Sequence, residues 1–248
     1  MARLRGENGC PWDREQTHQS LKPYLAEEMY ETLDAIDTGD MEHLKEELGD
    51  MLLQIVFHSQ LANERGDFSM NDVCATISEK LVRRHPHVFG EANADTPEKV
   101  VKQWDEIKKS EGTKAHRKSI LDGVPISMPA LMRAMNLQEK ASSVGFDWEG
   151  WEGAFEKLEE EVAELRKAIS EKNAAHVAEE VGDLLFSIVN AARHMNIDPE
   201  EALRKTSGKF TRRFMHVEGN IVKKHGSFSG SSLEEMDALW NEAKLKDV

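Results

Sequence analysis

A chain of 248 residues suits one large domain or two ordinary ones, and either half is long enough to bury a core of its own. With 46 acidic against 32 basic residues it carries a formal net charge of −14, so its surface repels polyanions, and duplex nucleic acid and anionic membrane are excluded as expected partners. No apolar run approaches the length of a membrane span, residues 1–9 lack the apolar core of a signal peptide, and Cys10 and Cys74 stand in no metal-binding spacing. The expectation is a soluble protein of the reducing cytoplasm with two inert thiols.

Helical periodicity runs through most of the chain. Leu25, Met29, Leu33 and Ile36 recur at three- and four-residue steps, as do Leu44, Leu48, Leu52, Ile55 and Val56, with a break at Thr38-Gly39-Asp40 between them. So short a connection makes the two helices antiparallel neighbours. A third helix carries Lys80, Arg83 and Arg84, and beyond a loop a fourth opens at Thr96-Pro97-Glu98 and holds Trp104 and Lys108. Residues 110–128 are polar and interrupted by Gly112, Gly123 and Pro125, which marks a linker and a boundary near residue 120, giving domains 1–120 and 121–248. The same order then returns. Leu158, Val162, Leu165 and Ile169 lead to a break at residues 171–173, followed by Val177, Val181, Leu184, Leu185, Ile188 and Val189. A helix with Lys209, Arg212 and Arg213 comes next, and a last one starts on a capping box of Ser232 and Glu235 and carries Trp240 and Lys244. No segment sustains strand alternation, so the fold class is all-α, with four helical segments in each copy.

The two halves share more than periodicity. Glu27, Glu28, Glu31, Glu47 and Asp50 recur as Glu160, Glu161, Glu164, Glu180 and Asp183, every one at an offset of 133, which identifies a duplication. On a helix the first three acids of each set fall within an arc of about 100°, and the last two lie one turn apart, so the acids converge between the paired helices. Crowded like charges destabilise a helix pair, and a divalent cation removes that cost. Hard oxygen ligands without His or Cys select Mg²⁺, Mn²⁺ or Ca²⁺. Basic residues four apart on the next helix, Lys80/Arg84 and Lys209/Arg213, would clamp a phosphate. The bland alternative, a solvated acidic helix face, suits one copy as well as a site does, but it does not account for two copies with the same basic helix behind each. A di-iron bundle needs two E-x-x-H pairs, and only Glu15 to His18 fits. His85 and His87, flanking Pro86, read as loop structure. Trp104 and Trp240, each with a Lys four residues on, are open to either base stacking or packing.

These residues resemble the MazG-type nucleoside triphosphate pyrophosphohydrolases in their two-domain form. The likeness rests on G-C-P-W-D at residues 9–13, P-Y-L-A-E-E-M-Y-E at 23–31, E-E-L-G-D at 46–50 and R-R-H-P-H-V-F-G at 83–90. It continues with V-G-F-D-W at 144–148, E-E-V-G-D-L-L-F at 179–186 and K-F-T-R-R-F at 209–214. The resemblance implies a tandem of two all-α NTP pyrophosphatase domains packing as helical bundles in a homodimer. It also implies Mg²⁺-dependent hydrolysis of ordinary and aberrant NTPs and dNTPs to the monophosphate and pyrophosphate, with Mn²⁺ able to substitute. It carries over the metal ligands as Glu161, Glu164, Glu180 and Asp183 in the second domain and Glu28, Glu31, Glu47 and Asp50 in the first. Lys209, Arg213, Trp240 and Lys244 match its nucleotide-contacting positions; Lys157, one turn before Glu161, and Asn190, on the helical face of Asp183, are further candidates for substrate contact, and Glu160, beside Glu161 and four before Glu164, is the candidate water-orienting base. The resemblance implies that most activity lies in the second domain, and Phe57 in the first copy where the second has Asn190 fits that bias. A narrower enzyme for one damaged nucleotide, a nucleotide-sensing scaffold and a structural helical dimer remain as rival readings.

Overall fold

The computed structural model describes residues 1–110 and 119–246, with the side chains at 105 and 108–110 excepted. The chain divides into two compact units, Met1–Gly112 and Thr113–Val248. Among the described residues there is no strand. The expected linker falls partly on residues 111–118, which lie outside the described residues, as does the side chain of Lys108.

In the first unit the short helices α1 (Ala2–Arg5) and α2 (Pro11–Glu15) precede the hairpin of α3 (Lys22–Thr38) and α4 (Met41–Arg65). Then follow α5 (Met70–Arg84), α6 (Pro86–Phe89) and α7 (Pro97–Ser110). The second unit has α8 (Ala130–Ser142), the hairpin of α9 (Trp151–Glu171) and α10 (Ala174–His194), and then α11 (Pro199–His225) and α12 (Leu233–Leu245). The four helices expected in each copy are present. Helix α8 is additional: Gly123, Pro125 and Pro129 interrupt the pattern before it, but its Ala, Leu, Met, Gln, Glu and Lys residues are strong helix formers.

Both hairpin turns follow from local chemistry. Gly39 closes α3 in the left-handed region, at φ 70°, and the Asp40 side chain then accepts from the backbone N–H of Glu42 and His43 to start α4. At the corresponding place, 133 residues on, Lys172 takes the same conformation at φ 55°, and Asn173 caps α10 by accepting from His176 N–H. A left-handed non-glycine residue costs about 1–2 kcal/mol, and glycine's extra unfolded-state freedom returns part of that. Lys172→Gly is therefore expected to stabilise the second unit by about 0.5–1 kcal/mol, read as a rise in urea midpoint at unchanged slope. At α12 only half of the expected capping box forms. Ser232 accepts from Glu235 N–H, but the Glu235 carboxylate is taken by Lys224 and His225 instead.

Within each hairpin small residues let the helices approach. Ala35 on α3 and its counterpart Ala168 on α9 are both fully buried, and Leu21, Phe57 and Leu61 make the first unit's small core. The apolar stripe read as core is otherwise largely open: Leu25, Met29, Leu33, Ile36, Leu48 and Leu52 are exposed, as are Val181, Leu185 and Ile188. Two helices bury only a strip between them, so the outer part of a wide amphipathic face needs a further layer. Among the described residues no helix is long and apolar enough to cross a membrane.

Candidate active site

In the second unit, Glu161 and Glu164 from α9 meet Glu180 from α10, with one carboxylate oxygen of each lying within 4.8 Å of the others. Glu161 and Glu180 are buried, at 4% and 8% exposure, while Glu164 is open to solvent. One oxygen of Glu180 faces His176 Nε2 at 2.9 Å, and the other, Oε2, is buried without a hydrogen-bond partner. The Lys157 ammonium donates to Glu161 at 2.7 Å and to Glu160 at 3.1 Å. The bond to Glu161, seconded by that to Glu160, holds the lysine well above its ordinary pKa.

Asp183 is not in that cluster of three. It lines, with Lys157, Glu161 and Asn190, an adjoining cavity of about 450 Å³, whose other walls include Gln138, Phe146, Trp148 and Phe186. Asn190 is 7% exposed, and its Oδ1 accepts from Arg193 at 3.1 and 2.7 Å. Arg193 in turn pairs with Asp147, whose carboxyl it holds far below the usual carboxylate range.

The first unit repeats the carboxylate centre with a different outlier. Glu28 from α3 meets Glu47 and Asp50 from α4 within 4.8 Å. Glu31 is outside this cluster but acts on it: burial first, and then the charges of Asp50, Glu31 and Glu47, push the Glu28 carboxyl above its ordinary value against a hydrogen bond from Gln54. The hairpin thus brings three of the four expected ligands together in each copy, Glu31 and Asp183 being the fourth.

The expected nucleotide-contacting residues of the last two helices lie elsewhere. Lys209 and Lys244 are exposed, Arg213 is half-buried, and none of Lys209, Arg213, Trp240 and Lys244 lines the cavity. Trp240 packs against Phe210, with ring centroids 5.2 Å apart, and Trp104 meets the His85 ring edge-on at 5.0 Å. His85 bonds the carbonyl of Leu81, and His87 pairs with Gln103, so both histidines serve the local fold.

The model of the MazG nucleotide pyrophosphohydrolase domain matches this chain twice, at residues 16–89 and 151–218, each match spanning one carboxylate hairpin. The chain belongs to the MazG family. The nucleoside triphosphate pyrophosphohydrolase/pyrophosphatase MazG of Thermotoga maritima is 50% identical over 100% of this chain and 94% of its own length. The nucleoside triphosphate pyrophosphohydrolase of Escherichia coli K12 is 44% identical over 100% of this chain and 95% of its own. An uncharacterized Bacillus subtilis protein, YabN, is 49% identical over 97% of this chain, which spans 49% of it.

Two features of this MazG-family site were missed in the sequence. His43 lies 3.0 Å from Glu47 as His176 lies 2.9 Å from Glu180, and the signal was there as a second H-x-x-x-E at the common offset of 133. A histidine that orients a ligating carboxylate typically matters about 10–100-fold to metal affinity, and the half-exposed His176 belongs at the low end. His176→Ala is expected to weaken Mn²⁺ binding by the second unit about tenfold in a calorimetric titration; unchanged affinity would make His176 a surface residue. The other miss is Arg193. Its role could be read only from Asp147 and Asn190 being close in space, since they lie 43 residues apart in sequence.

Proposed function

We propose that this MazG-family chain hydrolyses nucleoside triphosphates, NTPs and dNTPs, ordinary and aberrant, to the monophosphate and pyrophosphate in a Mg²⁺-dependent reaction centred on the second domain. The observation that carries the reading is the convergence of Glu161, Glu164 and Glu180 beside a nucleotide-sized cavity, with Glu180 Oε2 buried and unpaired. An orphaned buried carboxylate oxygen in an all-oxygen donor set fits a hard divalent cation, which would satisfy that oxygen and offset the crowding of three anions. Glu161, Glu164 and Glu180, with Asp183 at the cavity wall, would hold Mg²⁺, or Mn²⁺ in its place. Glu28, Glu31, Glu47 and Asp50 form the corresponding set in the first domain. Bound there, the cation supplies Lewis-acid polarisation of the phosphate and neutralises charge on the departing pyrophosphate.

The chain's own residues supply the rest. Lys157 is the cation at the cavity wall, and its flexible stem lets it exchange a carboxylate for a phosphate oxygen. Glu160, with a side chain 57% exposed and paired with that lysine, accepts the proton of the attacking water on a carboxylate oxygen. Lys209 and Arg213 are assigned to the phosphate charge, and Trp240 and Lys244 to the nucleotide beside them. The resemblance supports these roles, and they require α11 and α12 to reach the substrate from outside the cavity that their own chain lines. A second copy of the chain is proposed to cover the apolar faces of the hairpins, because both repeats leave the same kind of face exposed.

Product analysis tests the reading. Each NTP and dNTP is incubated with the full chain, with Mg²⁺ or with chelator, and monophosphate plus pyrophosphate is expected only with the cation. Diphosphate plus orthophosphate, or no turnover by folded protein, would refute it.

A further inference from the structure

We infer that His18 and His58 form an acid-opened latch, which holds residues 10–20 against α4 while their facing ring nitrogens share one proton and releases that segment when the pair takes up more. The latch lies outside both carboxylate clusters, and it stands whether or not the chain cleaves triphosphates.

His18 follows α2 in a turn closed on itself, where the backbone N–H of Thr17 and of Ser20 each donate to the other's hydroxyl, at 2.9 and 3.1 Å. It meets His58 of α4 through the Nδ1 atoms, which are 2.8 Å apart, with ring planes 5° apart and centroids 5.1 Å apart. Rings stacked face to face with nitrogens this close would have nearer centroids. These rings therefore meet edge to edge and nearly coplanar, as a linear N–H···N bond needs. On the far side of the same ring, His58 Nε2 is buried without a hydrogen-bond partner.

A neutral pair suits this setting. His58 donates through Nδ1–H to His18 Nδ1, and its Nε2 stays bare. One more proton leaves a single hydrogen between the Nδ1 atoms and places another on His58 Nε2, a buried N–H with no acceptor. A second must enter the 2.8 Å gap, where two N–H groups would point at each other. Burial first, and then the charge of His18, accordingly hold His58 below its ordinary pKa of 6.5. An undocked histidine takes its proton near that value and the docked one lower, so the latch is fully closed above 6.5 and loosens as pH falls below it.

The surrounding charges do not blur that response. Arg5 of α1 pairs with Glu64 of α4 at 2.7 Å, and that bond, seconded by Gln60, keeps the Glu64 carboxyl below its ordinary value. This tether of α1 therefore survives where the histidines charge. Arg65 of α4 pairs with Asp67, and Asp72 of α5 accepts from Ser69. Asp13 offers Arg5 its backbone carbonyl, Arg14 bonds the carbonyl of Glu7, and Arg3, Glu15 and Lys22 are exposed. Opening is thus confined to α2 and the turn after it. Helix α2 has five residues, too few to stay helical alone, so release unfolds it. Arg5 then loses the carbonyls of Asp13 and Gln16, and because its guanidinium lies 5.6 Å from the Phe57 ring, the change reaches the first unit's core.

Amide hydrogen exchange of the full chain, followed by NMR and corrected for the intrinsic rate at each pH, tests the latch. Uptake of one proton on opening raises the open fraction about tenfold per pH unit below 6.5. Protection of the Arg14, Gln16 and Leu21 amides, which are bonded to Cys10, Asp13 and Thr17 carbonyls, is therefore expected to fall about tenfold or more from about pH 7.5 to about pH 5.5. Protection in α9 and α10 should stay within about threefold. His18→Asn with His58→Gln, a pair of amides that cannot titrate, should hold protection of the three amides within about threefold over the same range. If that pair leaves them unprotected even at the higher pH, His18→Asn alone, whose amide oxygen still accepts from His58 Nδ1, should show a smaller fall than the native chain. Protection independent of pH in the native chain, a fall matched in α9 and α10, or a fall undiminished in the variants overturns the inference.

Discussion

Glu180→Gln is expected to lower Mg²⁺-dependent pyrophosphate release by about 10³-fold or more while making the metal-free protein slightly more stable. The two effects have one cause. Glu180 sits with Glu161 and Glu164 within ligand distance of a single ion, and burial of Glu161 and Glu180 denies them the screening that surface acids enjoy. Without a cation, Lys157 covers Glu161 and His176 covers one oxygen of Glu180, but Oε2 has no partner. An amide removes one charge from the cluster, and with it a hard anionic ligand. A cation at 100 times its dissociation constant stabilises the native state by about 2.7 kcal/mol, about 5–10 °C for a chain of this size. That shift should largely vanish in Glu180→Gln when thermal unfolding is followed with and without Mg²⁺, apart from what the first unit's cluster retains. A variant that keeps both the native rate and the native Mg²⁺ shift would remove Glu180 from the site.

The carboxylate centre was legible because helical spacing and duplication carry it. A constant offset of 133 across five acids constrains two helices at once, and the short turns at Gly39 and Lys172 leave antiparallel packing as the way to join them. What spacing could not convey was which acids share an ion. Glu164 enters the second cluster and Asp50 the first, because small differences in helix rotation and rotamer decide a matter of 4.8 Å. Periodicity likewise showed which residues lie on the apolar face of α3 but not whether that face is covered, and Leu25, Met29 and Leu33 remain exposed. The cavity was out of reach for another reason. Gln138, Asp147 and Phe146 come from α8 and the segment after it, where nothing in periodicity fixes their placement against α10, although the V-G-F-D-W stretch was singled out as a motif. The substitution of Phe57 for Asn190 was visible in the sequence, but the guanidinium of Arg5 above it was not.

Arg193→Leu tests the contact that ties that stretch to the site. Arg193 donates through Nη1 to Asp147 at 2.8 Å and through Nη2 to the other oxygen, with side chains 13% and 20% exposed. The same guanidinium holds Asn190, and His194 lies 3.1 Å from Asp147. A partly buried bidentate pair of this kind is worth about 1–3 kcal/mol once solvent screening is discounted, and its loss would leave a carboxylate desolvated without its partner. The pH dependence has a definite sign. Arg193 depresses the Asp147 pKa below its unfolded value of 3.8, so this stabilisation is fully present above that pH and is lost as pH falls toward the depressed folded value. In Arg193→Leu the largest cause of that depression is gone, leaving burial, which raises the carboxyl, opposed by the Ser142 hydrogen bond and His194. The stability gap between the native chain and the variant should therefore be widest near neutrality and narrow below pH 4, as measured by urea unfolding across that range. Nucleotide affinity should fall alongside, because Asn190 loses the donor that fixes which end of its amide meets the ligand, while tripolyphosphate affinity should not. A gap that stays constant with pH would mean that the arginine acts through packing and not through Asp147. Equal losses for both ligands would separate Asn190 from the nucleoside.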